Sequence, residues 1–395
     1  MTATHTQPRD LLAQVERIRP IVEEHAARGE ADRQLAPPVY EALRDAGLLR
    51  LWVPAAYAGY ETHPAAAYRV FETLSGIDGA AGWNLNQHAA VSHVASWLRD
   101  GLDEIYANPD AVFAGVFWPP GAAVEVPGGF RITANVRFAS GCHYARWLLV
   151  AAVVMVDGQP KVDPAIGAPD FVATFIAMDE GVVRDTWRTL GMRATGSNDV
   201  VVEDVFVPAH RAARVFAVPT ERPTALASPI YGMAPWLGVQ AHAAVPVGIA
   251  RSAVNKLVNL AETKVPNFSE VTLRDRGVVQ AQAAQARATG DAASAYLAAT
   301  ATDAFDAIAS GAGLSTAHKV AMQLAASNCA TATMTAISLV HQAAGTSAIR
   351  DEGGFEKLFR DANTITQHTA MQTARYESTG KVLFGLPTDW FPFNL

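Results

Sequence analysis

Near Ala111 the chain gives up helical periodicity for short runs of β-branched residues, and it returns to helix only after about Val215. This change of texture constrains the fold more than any other feature. The runs are AVFAGVF, AVEV, FRITANVRF, RWLLVAAVVMV, FVATFIAM and DVVVEDVFV, and Gly-Gly, Asp-Gly and Glu-Gly turn signals fall between some of them. Several short strands spaced by such turns predict a compact β-barrel or sandwich. No G-x-G-x-x-G follows any of them, so a dinucleotide-binding fold is not expected.

Both flanks read as helix. In the N-terminal flank Pro37-Pro38 offers a helix start, Val39, Leu43 and Leu48 share a face, and Gly47 offers a stop. A further helix is predicted over 80–98, with His88 and Ser92 on one face. Beyond residue 228, long Ala-rich segments near 236–263, 272–308, 315–344 and 354–384 predict an antiparallel four-helix bundle. The expected class is α+β: an N-terminal helical domain (1–110), a middle β domain (111–220) and a C-terminal four-helix domain (221–395). The bundle is thin in charge, as in VQAQAAQARATGDAASAYLAA, and such a helix is expected to be buried against other subunits.

Composition narrows the function. The net charge is -7 and there is no basic tract, so no nucleic-acid partner is expected. The longest strongly apolar run, Trp147 to Val156, is half of what a bilayer requires, and the start lacks a signal-peptide pattern. A cytoplasmic protein with no membrane association is expected. The excess of Arg over Lys is a codon-usage hint of a bacterial source. Two cysteines, no H-E-x-x-H and scattered histidines give no metal site. The absence of G-x-S-x-G speaks against a serine hydrolase.

Three segments carry chemistry. In GGFRITANVRFASGCHYARW, Ser140-Gly141 presents a hydroxyl and amides at a strand end, although an isolated Ser-Gly is also an ordinary turn. In WRTLGMRATGSNDVVVEDVFVP, Thr195, Ser197 and Asn198 cluster before a β run. In HQAAGTSAIRDEGGFEKLFRDANTITQH, Gly345-Thr346-Ser347 lies between helices, as a phosphate-facing turn or as simple caps.

Together, in this order and spacing, they resemble the acyl-CoA dehydrogenase superfamily, and within it the flavin-dependent monooxygenase branch. That branch includes oxygenase components of two-component aromatic hydroxylases and dibenzothiophene monooxygenase. The resemblance implies a reduced flavin, FMN or FAD, supplied by a separate NAD(P)H:flavin reductase. O2 and a small aromatic or secondary-metabolite-like substrate would then react through a C4a-hydroperoxyflavin. It implies that Ser140 meets the flavin N5 region, that Phe138 flanks the ring, and that Gly141, Thr195 and Ser197 lie nearby. Gln342, Gly345 and Thr346 match a loop that reaches a neighbouring subunit's cofactor, and Arg274 or Arg276 would contact a phosphate. A homotetramer is implied. His368 is assigned to the flavin side and His88 to the substrate side, with His143 as third choice; Phe113, Phe117 and Trp118 would wall the pocket.

The alternative is an FAD-dependent acyl-CoA dehydrogenase or acyl-thioester oxidase. Many dehydrogenases carry a Glu base after the Arg-Asp-Ala of the last helix. Here Arg360-Asp361-Ala362 leads to Gln367-His368-Thr369, with no carboxylate.

Overall fold

The computed structural model describes residues 10–164, 167–217 and 223–394. Helices α1 (Leu11–Asp32), α2 (Pro37–Asp45), α3 (Pro64–Ile77), α4 (Gly79–Val94) and α5 (Leu102–Ile105) form the N-terminal part. Pro37 opens α2 at its first turn, and Gly47 takes a left-handed φ of 73° just past its end, as the sequence predicts. The Asp78 side chain caps α4 by accepting from the Ala81 amide at 2.8 Å. Most of α4 is buried, polar residues included, so this helix threads the molecule instead of lying on it.

Ten strands follow among the described residues: β1 (Val112–Val126), β2 (Gly129–Val136), β3 (Ala145–Val156), β4 (Gln159–Pro160), β5 (Val162–Asp163), β6 (Ala168–Pro169), β7 (Phe171–Ala177), β8 (Val182–Arg184), β9 (Asp199–Pro208) and β10 (Ala212–Arg214). Eight of them make one sheet along the path β10-β7-β3-β1-β2-β9-β8, with β4 paired to β3; β5 and β6 pair separately. The sheet is mixed, because β1 and β3 run parallel while the other pairs are antiparallel. Where a barrel or sandwich is expected, the structure has one continuous mixed sheet. Val172 and Ile176 of β7 nevertheless share a core cluster with Val200 and Val202 of β9, with three strands between them along the path, so the sheet curls around its own apolar face. The runs AVFAGVF and AVEV are one strand, interrupted by a register shift between Val116 and Gly121.

Helices α6 (Trp236–Thr263), α7 (Gly277–Ala309) and α8 (Thr316–Ala344) are long, as predicted. The fourth segment is not one helix. It divides into α9 (Phe355–Ile365) and α10 (Ala374–Leu383), and the eight residues between them lie in turns. That break places His368 off a helical face, next to the junction of α4, α6 and the sheet.

Candidate active site

The turn between β2 and β3 forms one wall. The Ala139 amide donates to the Asn198 carbonyl at 3.0 Å and the Gly141 amide to the Thr195 carbonyl at 3.1 Å, which pins the turn to the 192–198 loop. Phe138 and Gly141 both have left-handed φ values, 61° and 73°. A Cβ at position 141 would stand 3.0 Å from Asn84 Oδ1, so only glycine suits both the backbone and the close approach of α4.

Four side chains run in series beneath this turn. Trp83 Nε1 donates to Ser140 Oγ at 2.9 Å, Ser140 Oγ is 2.7 Å from Ser197 Oγ, and Ser197 Oγ is 2.6 Å from Thr195 Oγ1. Thr195 Oγ1 donates to the Met192 carbonyl at 2.8 Å. All four side chains are buried. The loop is anchored in turn, because the Met192 amide donates to Asp361 Oδ1 at 2.5 Å. Lys357 Nζ bridges Asp361 Oδ2 at 2.6 Å and Asp78 Oδ2 at 3.0 Å. Burial opposes the charge on Lys357, but Asp78 and Asp361 outweigh it and hold the ammonium protonated. One buried ionic cluster thus ties α9, the cap of α4 and the 192–198 loop together.

The opposite wall carries two imidazoles. His242 comes from α6 and His368 from the turn between α9 and α10; their ring centres are 4.7 Å apart, and each lies 5.1 Å from the Trp83 ring. His242 Nδ1 is 2.7 Å from Asn86 Oδ1, so Nδ1 carries the hydrogen and Nε2 is left as an acceptor. His368 Nδ1 accepts from the Ala370 amide at 3.3 Å, so its Nε2 carries the hydrogen and is a donor. Burial pulls the His368 pKa down to about 4, and burial plus the neighbouring His368 pull His242 well below the ordinary imidazole value. Both rings are neutral near pH 7, in opposite tautomers.

Several expected site residues lie elsewhere. His88 is on a different side of α4 from Trp83, as five residues put them about 140° apart around the helix. Its Nε2 is 2.6 Å from the Leu49 carbonyl oxygen and its Nδ1 accepts from the Phe113 amide at 3.2 Å. Both ring nitrogens are committed to backbone, and burial lowers its pKa to about 4, which is the setting of a structural histidine rather than a substrate base. Phe113 is 1% exposed and packs on His88, Tyr106 and Phe175, so it belongs to the core and not to a pocket wall. Phe117 packs on Trp97, and Trp118 is 68% exposed near Phe171, both away from the Trp83 cluster. His143 Nε2 pairs with Asn198 Nδ2 at 2.9 Å and braces the loop. Phe138 is 59% exposed and meets Trp187 edge-on. Arg274 and Arg276 are exposed before α7, and Gln342, Gly345 and Thr346 are exposed at the end of α8; no hydrogen bond or ion pair among the described residues joins them to Ser140.

Trp83 and His242 escaped the sequence reading. Their signal was a polar or indole group inside a segment otherwise apolar on every side: Trp83 with Asn84 and Asn86 on α4, and Gln240 with His242 on α6. Polar groups in such helices face another part of the protein, and each asks for a partner.

The site fits a flavin ring. Asn84 Oδ1 is a buried acceptor with no donor and Asn86 Nδ2 a buried donor with no acceptor, on either side of Trp83 around α4. Ser140 keeps one free lone pair. An isoalloxazine edge, which alternates donors and acceptors, satisfies such groups, and the Trp83 indole supplies an apolar neighbour.

Residues 240–373 match the sequence profile of acyl-CoA dehydrogenase, C-terminal domain. The chain is 28% identical over 367 residues to indole-3-acetate monooxygenase of Pseudomonas putida, covering 92% of this chain and 91% of that protein. It is 28% identical over 397 residues to the flavin-dependent monooxygenase, oxygenase subunit HsaA, of Mycobacterium tuberculosis, covering 97% and 98%. The structure of XiaF from Streptomyces sp., in complex with FADH2 and glycerol, superposes with a TM-score of 0.87 at 27% identity over 96% of each chain. The fold, with helical ends around a central mixed sheet, is like that of the acyl-CoA dehydrogenases, which the chain resembles. These relatives are named as monooxygenases, HsaA as flavin-dependent, and XiaF is in complex with FADH2.

Proposed function

We propose that the chain is the oxygenase component of a two-component system. A separate NAD(P)H:flavin reductase supplies reduced FMN or FAD, and the chain uses it with O2 to hydroxylate a small aromatic or secondary-metabolite-like substrate. The observation that carries this reading is the pair of neutral histidines of opposite tautomer, His242 and His368, packed on the Trp83 ring whose Nε1 donates to Ser140 Oγ. Among the described residues no Asp or Glu hydrogen-bonds to Ser140, Ser197, His242 or His368. α-Proton removal from an acyl thioester needs a base in reach, and a carboxylate there would be its usual form.

Bound reduced flavin would activate dioxygen and supply one oxygen atom to the substrate. Ser140 would hold the ring at its N5 side, with Gly141 allowing close approach. His368 Nε2–H would give a hydrogen bond to the oxygen that departs as water. His242 Nε2 would accept the hydrogen of a substrate O–H or N–H, making an electron-rich aromatic a better nucleophile. In this reading the substrate-side role expected of His88 passes to His242. Phenols and indoles, which carry such a hydrogen, are the fitting class; two of the relatives are named as monooxygenases of indole-3-acetate.

The exposed Val278 and Tyr296 on the charge-poor α7, with the exposed loop at Gly345 and the exposed Arg274 and Arg276, support assembly as a homotetramer in which a second copy completes the cofactor site. The test of the function is a screen of phenolic and indolic acids with reductase-generated reduced flavin under isotopically labelled dioxygen. One labelled oxygen atom in the product supports the reading. Consumption of oxygen with no labelled product across the panel, alongside flavin reduction by an acyl-CoA, contradicts it.

A further inference from the structure

The hydroxyl series beneath Ser140 has one direction in which every hydroxyl hydrogen meets an acceptor among the described residues. The Thr195 hydroxyl donates to the Met192 carbonyl at 2.8 Å, a carbonyl that also accepts from Trp187 Nε1 at 3.1 Å. Ser197 must then donate to Thr195, since Thr195 has no hydrogen left to give. Ser140 must donate to Ser197 for the same reason. At the other end Trp83 Nε1, a donor only, fills one lone pair of Ser140. Ser140 is left with one lone pair and no hydrogen. Ser140, Ser197 and Thr195 are each buried, so the order is not scrambled by exchange with bulk water.

We propose that the Thr195–Ser197 relay makes Ser140 an obligate acceptor, and so sets the redox state of the flavin that the site prefers. This rests on the reading that Ser140 faces flavin N5. N5 carries a hydrogen in reduced flavin and offers only a lone pair in oxidised flavin. An acceptor-only Ser140 matches the first and opposes the second. Thr195 and Ser197 are positioning residues here: they act through Ser140 and need not touch the ring. The residue whose carbonyl ends the relay, Met192, is held by the hydrogen bond from its own amide to Asp361 Oδ1, which connects flavin discrimination to the ionic cluster behind the loop.

The test is equilibrium binding of oxidised and reduced flavin, the latter anaerobic, to the full-length protein and four variants, with thermal unfolding as a check on folding. Ser197→Ala frees the Ser140 hydrogen, and Thr195→Val, close to isosteric, lets the series reverse. In each, oxidised flavin should bind about fivefold tighter relative to reduced flavin than in the parent, the equivalent of one hydrogen bond of ~1 kcal/mol. Ser197→Thr, which restores the hydroxyl, should restore the parent ratio. Ser140→Ala separates the inference from the reading beneath it: it should weaken reduced flavin without favouring oxidised flavin. If Ser140→Ala lowers affinity for reduced flavin while both relay variants keep the parent ratio, the relay proposal is overturned and the placement of Ser140 stands. If Ser140→Ala changes neither affinity, both fall.

Discussion

The rings of His242 and His368 meet edge to face, with centres 4.7 Å apart and planes inclined at 74°. One comes from the middle of a long helix and the other from a break between two short ones, so their meeting is a property of the tertiary fold. Two charged imidazoles could not sit so close in so enclosed a place, and burial keeps both neutral.

Replacing either ring should separate oxygenation from flavin binding. His242→Ala and His368→Ala are each expected to lower product formation by roughly 10²–10⁴-fold, the usual contribution of a general acid or base. Reduced-flavin affinity should change little in either. Product yield per flavin oxidised checks this, and unchanged coupling in either variant removes that residue from the proton path.

Ser140→Ala should keep the fold at a larger cost than an exposed serine would carry. The change leaves the Trp83 indole N–H buried without an acceptor, a penalty of about 1–3 kcal/mol. Hydrogen peroxide should rise at the expense of hydroxylated product. Chemical denaturation and a peroxide assay on the same preparation read both effects.

The change of texture at Ala111, the Pro37–Gly47 helix and the three long C-terminal helices are all legible in the sequence because they depend on local pattern. The β2–β3 turn was legible too, with Ser140, Thr195 and Ser197, because left-handed and turn residues punctuate it. What was not legible depends on angle and depth. His88 and Trp83 are close in sequence but look in different directions from α4, and the choice between them follows from what surrounds the helix. The continuous pattern over 354–384 hid the break that frees His368, since α9 and α10 are separated by turns stabilised through tertiary contacts, such as the Ala370 carbonyl accepting from Gln323 Nε2. His242 was overlooked because a lone histidine in an apolar helix reads as core until its partners are known.

His88 should make the protein acid-sensitive in a defined window. Its folded pKa is about 4, against about 6.5 in an unfolded chain. Above that unfolded value neither state holds the proton and His88 contributes nothing to the pH dependence. As the pH falls through the window the unfolded chain takes up a proton that the folded one refuses, so stability declines, levelling off below the folded pKa. From about pH 7 to about pH 5 this costs about 2 kcal/mol. A His88→Gln variant, whose side chain does not titrate, should lose less stability over that interval in denaturant titrations while hydroxylation chemistry persists. An identical acid response in the variant would place the titration elsewhere.

Lys357→Met should be among the more damaging single changes outside the cleft. It leaves Asp78 and Asp361 buried without their shared cation, and breaking a buried pair costs about 3–5 kcal/mol. Because Asp361 also holds the Met192 amide, reduced-flavin affinity should fall along with stability. A lysine variant that unfolds at the parent denaturant concentration would show that the cluster contributes no net stability.

The central claim is that this chain accepts reduced flavin and turns it toward dioxygen, not toward an acyl thioester. It is tested most directly by rapid mixing of the anaerobic protein–reduced flavin complex with oxygenated buffer, followed by absorbance. The account predicts a transient near-ultraviolet band that precedes the return of oxidised flavin and persists longer in the parent than in Ser140→Ala. A single-phase return of oxidised flavin, at the rate of free reduced flavin and with no transient, would contradict it.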